Sequence, residues 1–357
     1  MLNEAAYRLR ALGRLTESLE PMRVGLEFFV TEKNWKQAAG VASNLSELEL
    51  TLGEVTAAVG DAEQSVTYAD RSGGAAERVM NRTTHADALH QVGRRAEAET
   101  LFREAEQMQA EDQPDYPLLY SLRGFQYCDL LLAAPERAAW ARVQVSGFWV
   151  QGGGDQDSAM AEVCREVEKR AAQALKIAEG DRWLLDIALD HLTLGRAALY
   201  AATLENSAFH IPHSELDKAL DGLPRAGQAQ ELPRGLLTRA WCSFAEAMEH
   251  RLHGRDREAS ACLAQSQADL DEAWEIAERG PMRLFLADIH LTRARLFGRG
   301  KLEGGRRNET EKYPWESPQA DLAAAEKLIN ECGYHRRDKE LADAKRALLG
   351  IAAYPVG

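Results

Sequence analysis

Long apolar runs are missing from this chain of 357 residues. No stretch reaches the roughly 18 residues that a membrane-spanning helix needs, so no membrane partner is expected. Cysteine is scarce as well: Cys128, Cys164, Cys242, Cys262 and Cys332 are scattered, and none forms a C-x-x-C pair. An odd, dispersed set excludes a disulfide framework and points to a reducing, cytoplasmic setting. Aromatic residues are only 7%, and runs of Val, Ile and Thr, the raw material of strands, are nearly absent. Positive charge is in deficit, with 43 Lys and Arg against 56 Asp and Glu and a net charge of −13. Long-range attraction to nucleic acid or to an anionic surface is therefore not expected. The densest basic run, "GRRNE" at 305–309, lies in a polar segment and reads as a solvated loop. The opening "MLNEAAYRLR" lacks the basic start and apolar core of a signal peptide. It reads as a helix already under way, so a longer parent chain is expected, with its other domains as partners.

Alanine and leucine dominate what remains, accompanied by Glu, Arg and Gln, which lose little on entering a helix. Gly13, Gly53 and Gly93 each follow an apolar residue and are spaced 40 apart. A fixed period of that length is the signature of a repeat array. Each unit reads as helix, tight turn, helix. In the third, helix A is predicted from about Ala75 to Val92, with Val79, Ala86 and Leu89 on its apolar side. Gly93 lets the backbone leave the helix. Helix B then places Ala98, Leu101, Phe102 and Ala105 on one face.

Further helices are predicted to begin at Pro117, Pro233 and Pro281, because proline fits a first helical turn. The segment from Asp181 to Glu205 reads as one long helix with Gly195 inside it, which implies close packing by a neighbour. Another helix B carries Ala273 and Trp274 inward. "KELADAKRALLG" is predicted to cap the open end of the array. Two insertions break the pattern, at 146–158 ("SGFWVQGGGDQDS") and 298–318. Their aromatics, Phe148, Trp149, Tyr313 and Trp315, are expected to fold back on the array rather than stand in solvent.

The Gly93, Ala98, Phe102, Ala105 pattern resembles the tetratricopeptide (TPR) repeat, in which a turn glycine precedes a small, an aromatic and a second small residue on helix B. Ser18, Met22 and Gly25 take those positions in the first unit, and Ala58, Ala62 and Ser65 in the second. The Leu194–Gly195 step and the prolines at 233 and 281 resemble other TPR features. HEAT repeats share a period near 40, but the helix B pattern favours TPR. The long units resemble the superhelical repeat regions of bacterial STAND-type signalling NTPases. The resemblance implies an all-α fold: a right-handed superhelix of antiparallel helix pairs, a TPR-like α-solenoid of about seven pairs plus a C-terminal capping helix, forming one array over 1–357.

No catalytic constellation is read from the residues. His210 with His213, and His250 with His253, are each three apart, but no H-E-x-x-H and no third ligand accompany them. The triple glycine at 152–154 lacks the Lys-Ser/Thr of a phosphate loop, and no G-x-S-x-G elbow occurs. Asp269 and Asp271 read as helix surface. No enzyme activity, metal or cofactor is expected.

Stacked hairpins make a concave surface lined by helix A, the natural place for a protein or peptide ligand. Counting back from each turn glycine gives Asn3, Tyr7 and Arg10 in the first unit, Ser43, Asn44 and Glu47 in the second, and Thr83, Asp87 and His90 in the third. Asp288, Thr292 and Arg295 take similar places later. The acidic balance suggests a partner that is itself partly basic. The function expected is a protein-interaction scaffold, the ligand-sensing region of a signalling or defence NTPase; the alternative is a free-standing TPR adaptor or peptide-responsive regulator.

Overall fold

Gly13, Gly53 and Gly93 all adopt left-handed backbone, with φ of +72°, +84° and +87°. Gly53 and Gly93 each end one helix and let the next run back alongside it, and Gly13 leads into the first described one. A computed structural model describes Leu9 and residues 13–146, 154–206, 212–227, 229–298 and 313–349. Within these residues the protein is helical and contains no strand. The helices are α1 (Leu15–Thr31), α2 (Trp35–Leu52), α3 (Val55–Ser72), α4 (Ala75–Gln91), α5 (Arg95–Asp112), α6 (Ser121–Ser146) and α7 (Asp155–Asp181). They continue with α8 (Leu184–Glu205), α9 (His213–Arg225), α10 (Leu232–Leu252), α11 (Asp256–Arg279), α12 (Arg283–Phe297), α13 (Pro318–Cys332) and α14 (Asp338–Leu349). No described helix is long and apolar enough to cross a membrane.

The helices pack pairwise with their chain neighbours, α2 on α3, α4 on α5, and so on to α12 on α13. In the third unit Ala98, Phe102 and Ala105 are fully buried, and the Phe102 ring stacks on Tyr127 of α6 with centroids 4.9 Å apart. The small residues let the backbones approach and the aromatic fills the gap to the next pair. Ser18, Met22 and Gly25, and Ala58, Ala62 and Ser65, are buried in the same way. Gly195 is in close contact: a Cβ there would lie 2.6 Å from Leu216 of α9.

The even-numbered helices from α2 to α12 line the inside, each touching the next, and α12 touches α2. The array thus curls until its late elements meet its early ones. One core cluster joins Leu15, Leu19 and Met22 of α1 to Ala273 and Ala277 of α11 and Ile289 of α12. Another joins Leu50, Val55 and Ala58 to Leu322, Ile329 and Leu341. The turn at Gly53 lies against Arg283 and Cys332, and that at Gly93 against the backbone of His335.

Several local expectations shift. The helix expected at Pro117 begins at Ser121, because Leu119 is buried and its N–H donates to the Glu106 carboxylate at 3.1 Å. The helix expected at Pro281 begins at Arg283, whereas Pro233 does lie in the first turn of α10. Of the insertion at 146–158, Asp155–Ser158 form the first turn of α7; Phe148 and Trp149 lie outside the described residues. Of the insertion at 298–318, residues 299–312 also lie outside them. Tyr313 and Trp315 fold back: the Trp315 indole donates to Asp271 at 2.8 Å and meets Phe297 edge-on, and the Tyr313 hydroxyl donates to Asp321. The last helix does not simply cover the end of the array. It reaches inward, touching α6 as well as α12 and α13.

Candidate functional site

Charge collects where the inner helices face one another. From α6, Asp129 and Glu136 sit seven apart on one face. Across from them are Arg196 of α8, Arg234 of α10, and Asp288 and Arg295 of α12. Arg336 and Arg337 enter from a 3-10 turn, His335–Arg337, that precedes α14.

Asp129, 2% exposed, is gripped by Arg196 at 2.8 Å, Arg234 at 3.0 Å and Arg336 at 2.6 Å. Arg336 also donates to the Gln91 side chain at 3.1 Å. Arg337 donates to Asp288 at 2.8 Å, Glu136 at 2.9 Å and Glu340 at 2.6 Å. Arg295 donates to Glu340 at 3.1 Å and its guanidinium lies over the Trp140 ring, 4.8 Å from the centroid. Trp140 in turn stacks on Trp241.

Burial alone would push these carboxyls up, but the guanidiniums reverse it. Arg336, Arg234 and Arg196 hold Asp129 well below the usual carboxylate range. Arg337 and Arg196 bring Glu136 down to about 2. Asp87 faces no such partner. Burial and the neighbouring Asp129 charge push it up to about 6, although it accepts from Gln91 at 2.7 Å. His90 is buried 3.9 Å from Asp129; burial and Arg336 hold its pKa well below the usual histidine value, so it is neutral.

A cavity of about 50 Å³ lies beside this network, walled by Arg196, Arg234, Arg295, Arg337, Trp241 and Tyr200. Glu136 and Asp288 also line it. A wider cleft of about 750 Å³ opens on the surface between α9, α10 and α11, with Asp217, Lys218 and Glu272 at its walls.

The residues expected in the groove divide into four groups. Asn3, Tyr7 and Arg10 lie outside the described residues. Ser43 and Thr83 are buried between helices rather than facing a groove: the Ser43 hydroxyl bonds to that of Thr84 at 2.8 Å, and the Thr83 hydroxyl donates to the Met80 carbonyl. Asn44 is exposed and Glu47 half-buried. Asp87, His90, Asp288, Thr292 and Arg295 do converge on the centre, but their neighbours are the protein's own side chains. Asp129, Glu136, Arg196, Arg234, Arg336 and Arg337 were not anticipated. The readable signal was a charge inside an apolar stretch, as in "YCDLLLAAPERAAW" for Asp129 and Glu136.

Asp269 is not helix surface. It is 1% exposed and accepts from both ends of the Arg239 fork, at 3.0 and 2.7 Å. Of the histidine pairs, His210 lies outside the described residues and His213 is bonded to Glu246 at 2.6 Å. Among the described residues no group of three or more His, Cys, Asp or Glu side chains is placed to hold a metal ion. Comparison with protein-family models finds no match, and comparison with curated proteins finds no relative.

Proposed function

We propose that this chain is a protein-interaction scaffold whose centre takes an arginine-bearing segment of a protein or peptide ligand. In this reading it is a ligand-sensing TPR-like superhelix, of the kind that follows the ATPase of STAND-type signalling proteins. The observation that supports the reading is the seating of the chain's own segment Tyr334–Arg337. Arg336 fits a socket made by Asp129 and Gln91. Arg337 fits one made by Asp288 and Glu136, and the Tyr334 hydroxyl donates to Asp288 at 3.1 Å. Three inner helices supply these acceptors. A ligand with two adjacent arginines would use the same forks, since guanidinium and carboxylate match in plane and spacing. The internal copy then acts as a resting occupant, and exchange for an external one is the signal. The reading gives the chain no catalytic step, metal or cofactor.

The test is binding of a synthetic Tyr-His-Arg-Arg-Asp-Lys-Glu-Leu peptide, the sequence of residues 334–341, to the full chain. An internal copy competes at an effective concentration on the order of millimolar, so wild type is expected to bind weakly. Arg336→Gln/Arg337→Gln, which empties both sockets, is expected to bind at least about tenfold more tightly, about 1.4 kcal/mol. Hydrogen exchange at residues 334–349 of wild type should rise with excess peptide. Absence of binding to the folded double variant, together with unchanged exchange in wild type, would refute the reading.

A further inference from the structure

Several donors in the centre have no acceptor, Arg234 Nε and Arg336 Nη2 among them. The Trp241 indole N–H and the Arg295 Nε–H are both buried, their residues 3% and 4% exposed, and neither meets a hydrogen-bond partner. Both residues line the cavity of about 50 Å³. A buried donor left unmade costs about 1–3 kcal/mol, and more when charged, so such groups mark the place of something that accepts.

The charges point the same way. Four arginines wall the cavity, Arg196, Arg234, Arg295 and Arg337, against two carboxylates, Glu136 and Asp288. With the groups behind the wall, five guanidiniums meet five carboxylates, the additional ones being Arg336, Asp129, Glu340 and Glu231, so the excess of positive charge is confined to the wall itself. Asp87 is not part of the cavity wall. Arg295 is the least compensated: among the described residues its carboxylate partner is Glu340 alone, and burial holds its guanidinium below the usual arginine range.

We infer that this cavity is a binding site for a small inorganic oxyanion of the phosphate class, held by the Trp241 indole N–H and the Arg295 guanidinium with Arg196, Arg234 and Arg337 around it. The size sets the class. A water needs about 10–15 Å³ of cavity, so the space suits three or four waters or one tetrahedral ion, and a nucleotide or a sugar phosphate is too large. Because Arg337 belongs to the segment that enters from the C-terminal side, the anion also ties that segment to α8, α10 and α12. The inference does not depend on the peptide reading, since it concerns donors that the arginine sockets leave over.

The experiment is titration of the full wild-type chain with inorganic phosphate at constant ionic strength, with sodium chloride as the balancing salt. Two readouts are used: tryptophan fluorescence, which reports on the Trp140–Trp241 stack, and the line width of the phosphate ³¹P resonance. Saturable changes in both, with one phosphate per chain, are expected. Trp241→Phe removes the donor and keeps a ring; circular dichroism checks its fold, and its phosphate affinity, read from the ³¹P line, is expected to fall at least about fivefold. Sulfate competing with phosphate supports a general oxyanion site. An unsaturable response, or one that chloride reproduces at equal strength, means the cavity holds water only and overturns the inference. So does an unchanged affinity in folded Trp241→Phe.

Discussion

Replacing Asp129 by asparagine keeps the shape of the side chain and removes the charge on which three guanidiniums converge. Their contacts with it are 2.6, 2.8 and 3.0 Å long. At an effective dielectric of about 20 a pair of unit charges 4 Å apart is worth about 4 kcal/mol, and the cost of burying each ion offsets a large part of that. The variant retains the burial cost of Arg196 and Arg336 and loses the attraction, the situation in which broken buried pairs cost about 3–5 kcal/mol. Asp129→Asn is therefore expected to lose about 4 kcal/mol in urea denaturation followed by circular dichroism, with the m-value unchanged. Arg336→Met leaves Asp129 two cations and is expected to cost less, and the double variant should be milder than the sum by at least about 1 kcal/mol. The pH dependence has a definite sign. Because the folded-state pKa of Asp129 is depressed, its contribution is present above the unfolded value of about 3.9 and is lost as pH falls through the folded value. The gap between wild type and Asp129→Asn should accordingly close in acid. A loss under about 1 kcal/mol at pH 7, or strict additivity with Arg336→Met, would refute the view that this carboxylate organises the centre.

Two further predictions use other parts of the array. Gly13 and Gly53 share left-handed backbone, but a Cβ at Gly13 meets nothing within 4 Å while one at Gly53 meets Arg283 Cβ and Cys332 Sγ at 2.8 Å. Gly13→Ala should cost about 1 kcal/mol of backbone strain and Gly53→Ala roughly 1–3 kcal/mol more, both read from urea midpoints; equal losses would mean that the early and late elements are not in contact in solution. Asp190 of α8 is 3% exposed with an unpartnered Oδ2, and burial with the neighbouring Asp186 pushes it up to about 8. A raised carboxyl favours folding below its unfolded value of about 3.9 and loses that contribution as pH rises to about 8, so Asp190→Asn should stabilise the protein at pH 8 by about 2 kcal/mol or more and have little effect at pH 4. A stability profile in which the variant gains nothing between pH 4 and 8 would contradict this.

The hairpins were legible because everything that defines them lies within a few residues. The turn glycines, the buried Ala98, Phe102 and Ala105, and the small-residue positions of the first two units follow from helical spacing alone. The close packing at Gly195 was legible for the same reason: a glycine inside a strong helix demands a neighbour. The meeting of α12 with α2 was not, because it depends on small rotations accumulated over six pairs, which no local pattern encodes. That closure also explains why helix A residues expected to face a ligand, such as Asp288 and Arg295, face Arg337 and Glu340 instead. Asp129 and Arg196 escaped notice because each sits in an apolar stretch, where periodicity records only that the helix is buried.

An ordinary solenoid is nearly one-dimensional: each hairpin knows only its neighbours, unfolding can begin anywhere, and units can be cut away one by one. Here Gln91 and Asp129 are bonded to Arg336 across 245 and 207 residues of sequence. Such links raise the contact order far above that of a stack and join distant hairpins into one cooperative unit. The molecule should therefore melt in a single step where an open stack would fray from its ends. Removing the hairpin of α4 and α5 should unravel elements that lie hundreds of residues away.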